Sequence, residues 1–114
     1  MSSALFSPIR LGDVEFANRI VISPMCQYMA VDGAATDWHL MHYGNLAMSG
    51  AALLFTEATA VSAEGRISAQ CLGLWTDAHE AAIDRFMRFS RDNGGPDLKI
   101  GIQLAHAGRK ASVH

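Results

Sequence analysis

Three short stretches of this 114-residue chain carry side chains able to do chemistry, and each stands at the end of an apolar run. Ser23-Pro24-Met25-Cys26, with Tyr28, follows Ile20-Val21-Ile22; Glu57-Ala58-Thr59 follows Ala51 to Thr56; Gln103 lies inside Leu98 to Leu104, with His106-Ala107-Gly108-Arg109-Lys110 beyond it. Gln103, an amide between Ile102 and Leu104, must find partners in an apolar strand. Either a planar heterocycle with alternating donors and acceptors or the neighbouring backbone meets that need. Cys26 beside Pro24 and Met25 reads on pattern as an inert small hydrophobe, since the local sequence offers no base to activate it. Glu57 is either a base with a raised pKa or a carboxylate paired with an arginine or a backbone donor, and the pairing is the reading taken. Arg109-Lys110 forms a basic spot able to hold a phosphate or carboxylate, although solvated surface pairs look the same. His39 and His42 stand three apart on a helix, but no third ligand follows at a familiar spacing and H-E-x-x-H is absent. They are read as packing or solvent-facing residues, with no metal site. Met25, Met29, Met41, Met48 and Met87 are read as packing residues.

The elements that position these residues follow from periodicity. Ile9 to Phe16 alternates around Gly12-Asp13 and predicts a hairpin. Ile20-Val21-Ile22, β-branched and stopped by Pro24, predicts a first core strand buried on both faces. Thr36 or Asp37 caps a helix from Trp38 to about Ser49 that stops at Gly50. Ala51 to Thr56 predicts the second core strand, and Val61 to Trp75 a long loop. Asp77, as N-cap with Glu80 at N3, opens a helix whose stripe of Ile83, Phe86, Met87 and Ser90 needs a sheet to cover. Asn93-Gly94-Gly95-Pro96 ends that helix, and Leu98 to Leu104 predicts the third core strand. The alternation means parallel strands joined by right-handed crossovers, as an open doubly wound sheet or a closed eight-stranded barrel. Both nucleotide fingerprints, G-x-G-x-x-G and G-x-x-x-x-G-K-[ST], are missing after the first core strand.

Composition narrows the classes. Half of the residues are hydrophobic and 18% are charged, with nine Lys+Arg against eleven Asp+Glu and a formal charge of -2. Neither disorder nor nucleic-acid binding fits that balance. The longest apolar runs fall far short of the roughly 20 residues that span a bilayer. Met1-Ser2-Ser3 opens no signal region, so no membrane and a cytoplasmic location are expected. Cys26 and Cys71 are read as two reduced thiols.

Taken together, the motifs carry a resemblance. Ser23-Pro24-Met25-Cys26-Gln27-Tyr28, Trp38-His39 to His42-Tyr43, Glu57-Ala58-Thr59-Ala60-Val61 with Glu64-Gly65-Arg66-Ile67, and Gly101 to Lys110 resemble, in order and over nearly the whole chain, the Old Yellow Enzyme family. The Cys-bearing first motif is similar to the bacterial branch typified by YqjM and xenobiotic reductase A. The resemblance implies an α/β fold, the (β/α)8 TIM barrel, with residues 1–114 forming the N-terminal portion of a single FMN-binding domain. It implies an ene-reductase that takes hydride from NADPH and delivers it to the β-carbon of an activated alkene. Ser23, Pro24, Met25 and Cys26 resemble the stretch lining the isoalloxazine ring, Ala58 a backbone contact at its edge, and Gln103 the amide on its pyrimidine. Tyr28 resembles the phenol that reaches substrate, so Tyr28 and Cys26 are the candidate catalytic residues.

The sequence departs from the family in extent. A barrel takes eight strands in about 250 residues, and three are found here. The family's substrate-gripping His-x-x-His or His-x-x-Asn pair, its proton-donating Tyr, its Arg near the flavin N1 and its late phosphate loops have no counterpart in these residues. The expected partner is therefore a second polypeptide supplying strands 4 to 8, with completed barrels forming a higher oligomer and this chain inactive alone. The alternative is a self-associating α/β fragment with a vestigial flavin-binding rim.

Overall fold

The computed structural model describes residues 3–111, apart from the Lys110 side chain. Of the basic spot, Lys110 thus lies outside the described side chains, while Arg109 is exposed. The Gly12-Asp13 turn closes an antiparallel hairpin of β1 (Ile9–Leu11) and β2 (Val14–Phe16), with Gly12 at φ +60°. Asn18 then ties two core strands together. Its Oδ1 accepts from the Ile20 and Ala52 amides at 3.0 and 3.1 Å, and its Nδ2 donates to the Gly50 carbonyl at 2.8 Å.

The core sheet is parallel, with β3 (Val21–Ile22) and β5 (Lys99–Ala105) flanking the central β4 (Leu53–Ala60). Helices α1 (Asp37–Ala47) and α2 (Asp77–Gly94) make the crossovers and pack on one face. Tyr43 and Ala47 of α1, Phe86 of α2 and Leu54 of β4 are buried there with Leu72 and Leu98. Tyr43 stacks on Phe86 at 4.8 Å between ring centroids. The α2 stripe behaves as its period requires: Phe86 and Ser90 are buried, and Ile83 and Met87 pack against the core.

Several expectations need correction. The second core strand runs to Ala60 rather than Thr56, because buried Glu57 and Thr59 satisfy their polar atoms locally. Thr76, not Asp77, caps α2, its hydroxyl accepting from the His79 amide at 3.2 Å. In α1 the cap is Thr36, and the usual Glu of a capping box is replaced by His39, whose Nδ1 accepts from the Thr36 amide at 2.9 Å. The first core strand is not buried on both faces: Ile22 packs on the core, whereas Val21 is 51% exposed. Met25, Met29, Met41 and Met48 are exposed, which leaves Met87 as the one of the five methionines packed against the core.

Among the described residues no helix covers the opposite face of the sheet. There the Phe55 ring lies across Gly101, where a Cβ would come within 2.6 Å of it. Below, Ile9, Leu11, Phe16, Val21 and Leu53 line a recess of about 150 Å³ between the hairpin and the sheet. No described helix is long and apolar enough to cross a membrane.

Candidate functional site

The ends of the three parallel strands meet at one rim. A bulge between Phe55 and Ala58 adds a residue to β4 and sets Ala58 opposite Gln103 of β5. Cys26, on the loop leaving β3, reaches the same place, close enough to the Ala58 backbone amide to feel it. Burial, and then the neighbouring Cys71 and Glu57, push the Cys26 thiol above its usual range, with only the Ala58 amide opposing. A protonated, half-buried thiol is a poor nucleophile. Ser23, Pro24 and Met25 precede it, with Ser23 and Met25 exposed. The rim therefore brings together Cys26, Ala58 and Gln103, which are scattered over the sequence.

Gln103 does not sit as its apolar neighbours suggest. It is exposed, as are Ile102 and Leu104 at 39% and 59%. Its amide has no buried shortfall to satisfy within this chain and stands open at the rim, both donor and acceptor.

Tyr28 is also exposed, and its backbone is left-handed at φ +56°. For a bulky non-glycine residue that conformation costs on the order of 1–3 kcal/mol and persists only where the surroundings enforce it. Gln27, next to it, is bonded at both ends. Its Nε2 donates to the Met25 carbonyl at 3.1 Å, its Oε1 accepts from Trp38 Nε1 at 3.0 Å, and its backbone amide donates to Glu57 Oε2 at 3.3 Å. Farther along the same loop, His79 of α2 accepts from the Trp75 amide on Nδ1, which leaves Nε2–H to donate to the Asp32 carbonyl at 2.9 Å. Gly33, at φ +83°, lets Trp75 and His79 close on the loop.

Glu57 is fully buried, and its partner is not an arginine. The Tyr43 hydroxyl donates to Oε1 at 2.9 Å and accepts from the Glu57 backbone amide at 2.7 Å. Burial first, then the nearby carboxylate, pushes the Tyr43 phenol far above its usual range, so it remains a donor. His39 Nε2 lies 3.4 Å from Oε1 but forms no hydrogen bond to it, and among the described residues it has no other partner. His39 is fully buried against Tyr43 and Phe86. Burial lowers the pKa of half-buried His42; His39 adds to that shift and Glu57 opposes it. Among the described residues no group of three or more His, Cys, Asp or Glu side chains is arranged to hold a metal. Sequence reasoning missed the joint role of Gln27, Trp38, Tyr43 and Glu57. All four lie in the motifs that carry the family resemblance, but apart from a carboxylate closing an apolar run nothing in their local pattern signals that they meet.

Comparison with known proteins agrees with this architecture. Residues 4–114 match the NADH:flavin oxidoreductase / NADH oxidase family. An NADPH dehydrogenase of Bacillus cytotoxicus is 48% identical over 116 residues, a match covering 100% of this chain and 33% of the relative. The NADH:flavin oxidoreductase FG08077 of Gibberella zeae is 48% identical over 111 residues, covering 97% of this chain and 26% of the relative. Among solved structures, Old Yellow Enzyme from Pichia sp. AKU4542 superposes with a TM-score of 0.84 at 29% identity, covering 95% of this chain and 28% of that one. Morphinone reductase, also solved in complex with tetrahydroNAD, gives a TM-score of 0.82 at 30% identity over 95% of this chain and 28% of that one. The fold is that of the N-terminal part of a (β/α)8 flavin oxidoreductase barrel. The chain belongs to the NADH:flavin oxidoreductase / NADH oxidase family, the Old Yellow Enzyme group, whose cofactor is FMN and whose reductant is NAD(P)H. It spans about a third or less of the length of these relatives.

Proposed function

We propose that residues 1–114 form the N-terminal portion of a single FMN-binding barrel domain that reduces activated alkenes with NADPH. The observation that carries this reading is the convergence of Cys26, Ala58 and Gln103 from three strand ends. The donor set fits a flavin: an open amide on Gln103, the small Ala58 opposite it, a protonated thiol, and an exposed apolar Met25 side chain. When bound, FMN supplies the hydride chemistry, and the protein supplies orientation and electrostatics. Gln103 binds the polar pyrimidine edge through its two-way amide. Ser23, Pro24, Met25 and Cys26 line the ring, Cys26 acting as a neutral thiol that tunes the potential without bonding covalently. Ala58 contacts the ring edge through its backbone, and Tyr28 reaches over the site to orient an enone or similar substrate.

The open edges of β3 and β5 call for the remaining strands, carried either by a second polypeptide, as the sequence reading expects, or by the same one. Completed barrels associate further, in the cytoplasm. The test is anaerobic titration with NADPH, followed by a cyclic enone, of the FMN-reconstituted protein with its barrel complete. Stoichiometric bleaching and enone-dependent reoxidation are expected. A protein that takes up no FMN, or whose reduced flavin ignores every enone, overturns the reading.

A further inference from the structure

We propose that Glu57 is the positioning residue of the loop bearing Cys26 and Tyr28: its buried carboxylate, clamped by the Tyr43 phenol, holds the Gln27 backbone amide. The functional consequence rests on the reading above, but the clamp itself is visible without it. Among the described residues Glu57 is the one buried carboxylate. Past the bulge in β4 its carboxylate meets Tyr43 of α1 and is fully buried, so it presents no surface at the rim where Ala58 stands. One oxygen accepts from Tyr43 and the other from Gln27. The returning bond, from the Glu57 amide to the Tyr43 hydroxyl, fixes the phenol's proton on the carboxylate side, since the oxygen's acceptor role is already filled by the backbone. Glu57 is thus locked to helix α1 before it touches the loop.

The loop contact falls at a sensitive place. The Gln27 amide belongs to the planar peptide unit that joins Cys26 to Gln27, so anchoring its N–H fixes the direction in which the chain leaves Cys26 and enters Gln27, the residue before Tyr28. Tyr28 stands in a left-handed conformation that needs such over-determination. The side chain of Gln27, held by Trp38 and Met25, supplies the remaining constraints. One buried acid, 30 residues away in sequence, therefore sets the pose of both candidate catalytic side chains.

Glu57→Gln is the test, made in the FMN-loaded protein with its barrel complete. Glutamine keeps the volume but must present an NH2 group to either the Gln27 amide or the Tyr43 hydroxyl, so one clamp bond is lost. The Gln27 amide should then exchange with solvent about tenfold faster or more, and the KM for a cyclic enone should rise about tenfold with kcat changed far less. Adding Tyr28→Phe to Glu57→Gln should raise KM no further, because Glu57 acts through Tyr28. Tyr43→Phe, which keeps the ring in the core, should reproduce the faster exchange if Glu57→Gln does not fold. Unchanged Gln27 exchange in the variants, or full additivity with Tyr28→Phe, overturns the proposal. Amide exchange needs neither flavin nor substrate, so a wild-type protein inactive toward enones sinks the functional reading while leaving the clamp to be judged on exchange alone.

Discussion

At Cys26, burial, the adjacent Cys71 and the Glu57 carboxylate all favour the protonated thiol, and one backbone amide opposes them. The sign of the consequence follows from linkage. A thiol whose pKa is higher folded than unfolded contributes stability that is present below the ordinary thiol range and lost as pH rises through the folded value. Iodoacetamide labelling of Cys26 should accordingly show its pH midpoint displaced above that of a free thiol. Cys26→Ala should move the flavin midpoint potential while leaving measurable turnover, and a complete loss of activity with FMN still bound would count against a tuning role. Gln103 makes a different kind of contribution, because its exposed side chain is free to meet a ligand at the rim, as the proposed function requires. Gln103→Leu keeps the approximate volume and strands the ligand's polar edge, so FMN binding should weaken by roughly 1–3 kcal/mol. Equilibrium titration with FMN checks this, and an unchanged dissociation constant would remove Gln103 from the site.

Between elements, the loop from β3 to α1 is held by two different strands of bonding. Glu57 and Trp38 grip it at Gln27, and His79 with Gly73 grips it around Asp32 and Gly33. Gly33 is required at the second grip for two reasons. It adopts φ +83°, and a Cβ there would lie 2.5 Å from the Trp75 ring and 2.9 Å from His79 Nε2. Gly33→Ala should therefore destabilise the protein by about 1–3 kcal/mol, with the backbone conformation and the overlap both contributing. Urea denaturation measures the loss, and the Gly73 amide, which donates to the Gly33 carbonyl at 2.8 Å, should lose exchange protection first. Retained Gly73 protection would show that the turn is held by something other than this contact.

On the scale of the whole molecule, the described fold is open where a domain would be closed. Its radius of gyration is 15.1 Å, against about 13 Å for a compact domain of this length. Val21 on the inner face and Ile102 and Leu104 on β5 are exposed, and along α2 a recess of about 200 Å³ lined by Thr56, Ile83, Met87, Ile100 and Ile102 stands uncovered. Ordering costs on the order of 1–2 kcal/mol of backbone entropy per residue, so residues 1–114 taken alone should unfold with low cooperativity and bind the dye ANS. Supplying the remaining five strands of the barrel, in trans or by fusion, should sharpen the transition and raise FMN affinity together. A sharp two-state transition and tight FMN binding by residues 1–114 alone would refute this.

Local chemistry in the sequence was enough to place the hairpin at Gly12-Asp13, the three β-branched or apolar strands, the two helices and the order in which they alternate. Those features depend on neighbours a few residues apart, where turn preference and hydrophobic period act directly. The motif order was likewise sufficient to indicate the family, because that signal is carried by residue identity. Three-dimensional packing decided the rest. Thr76 replaced Asp77 as the cap because only its hydroxyl meets the His79 amide. Gln103 proved exposed because burial depends on what covers a strand, and the runs around it look alike with or without a cover. Glu57, Tyr43 and Gln27 became one unit because a bulge in β4 turns a carboxylate toward a helix 14 residues earlier and a loop 30 residues earlier. No local rule encodes such a contact, since its energy comes from excluding water around three groups that only the folded chain brings together.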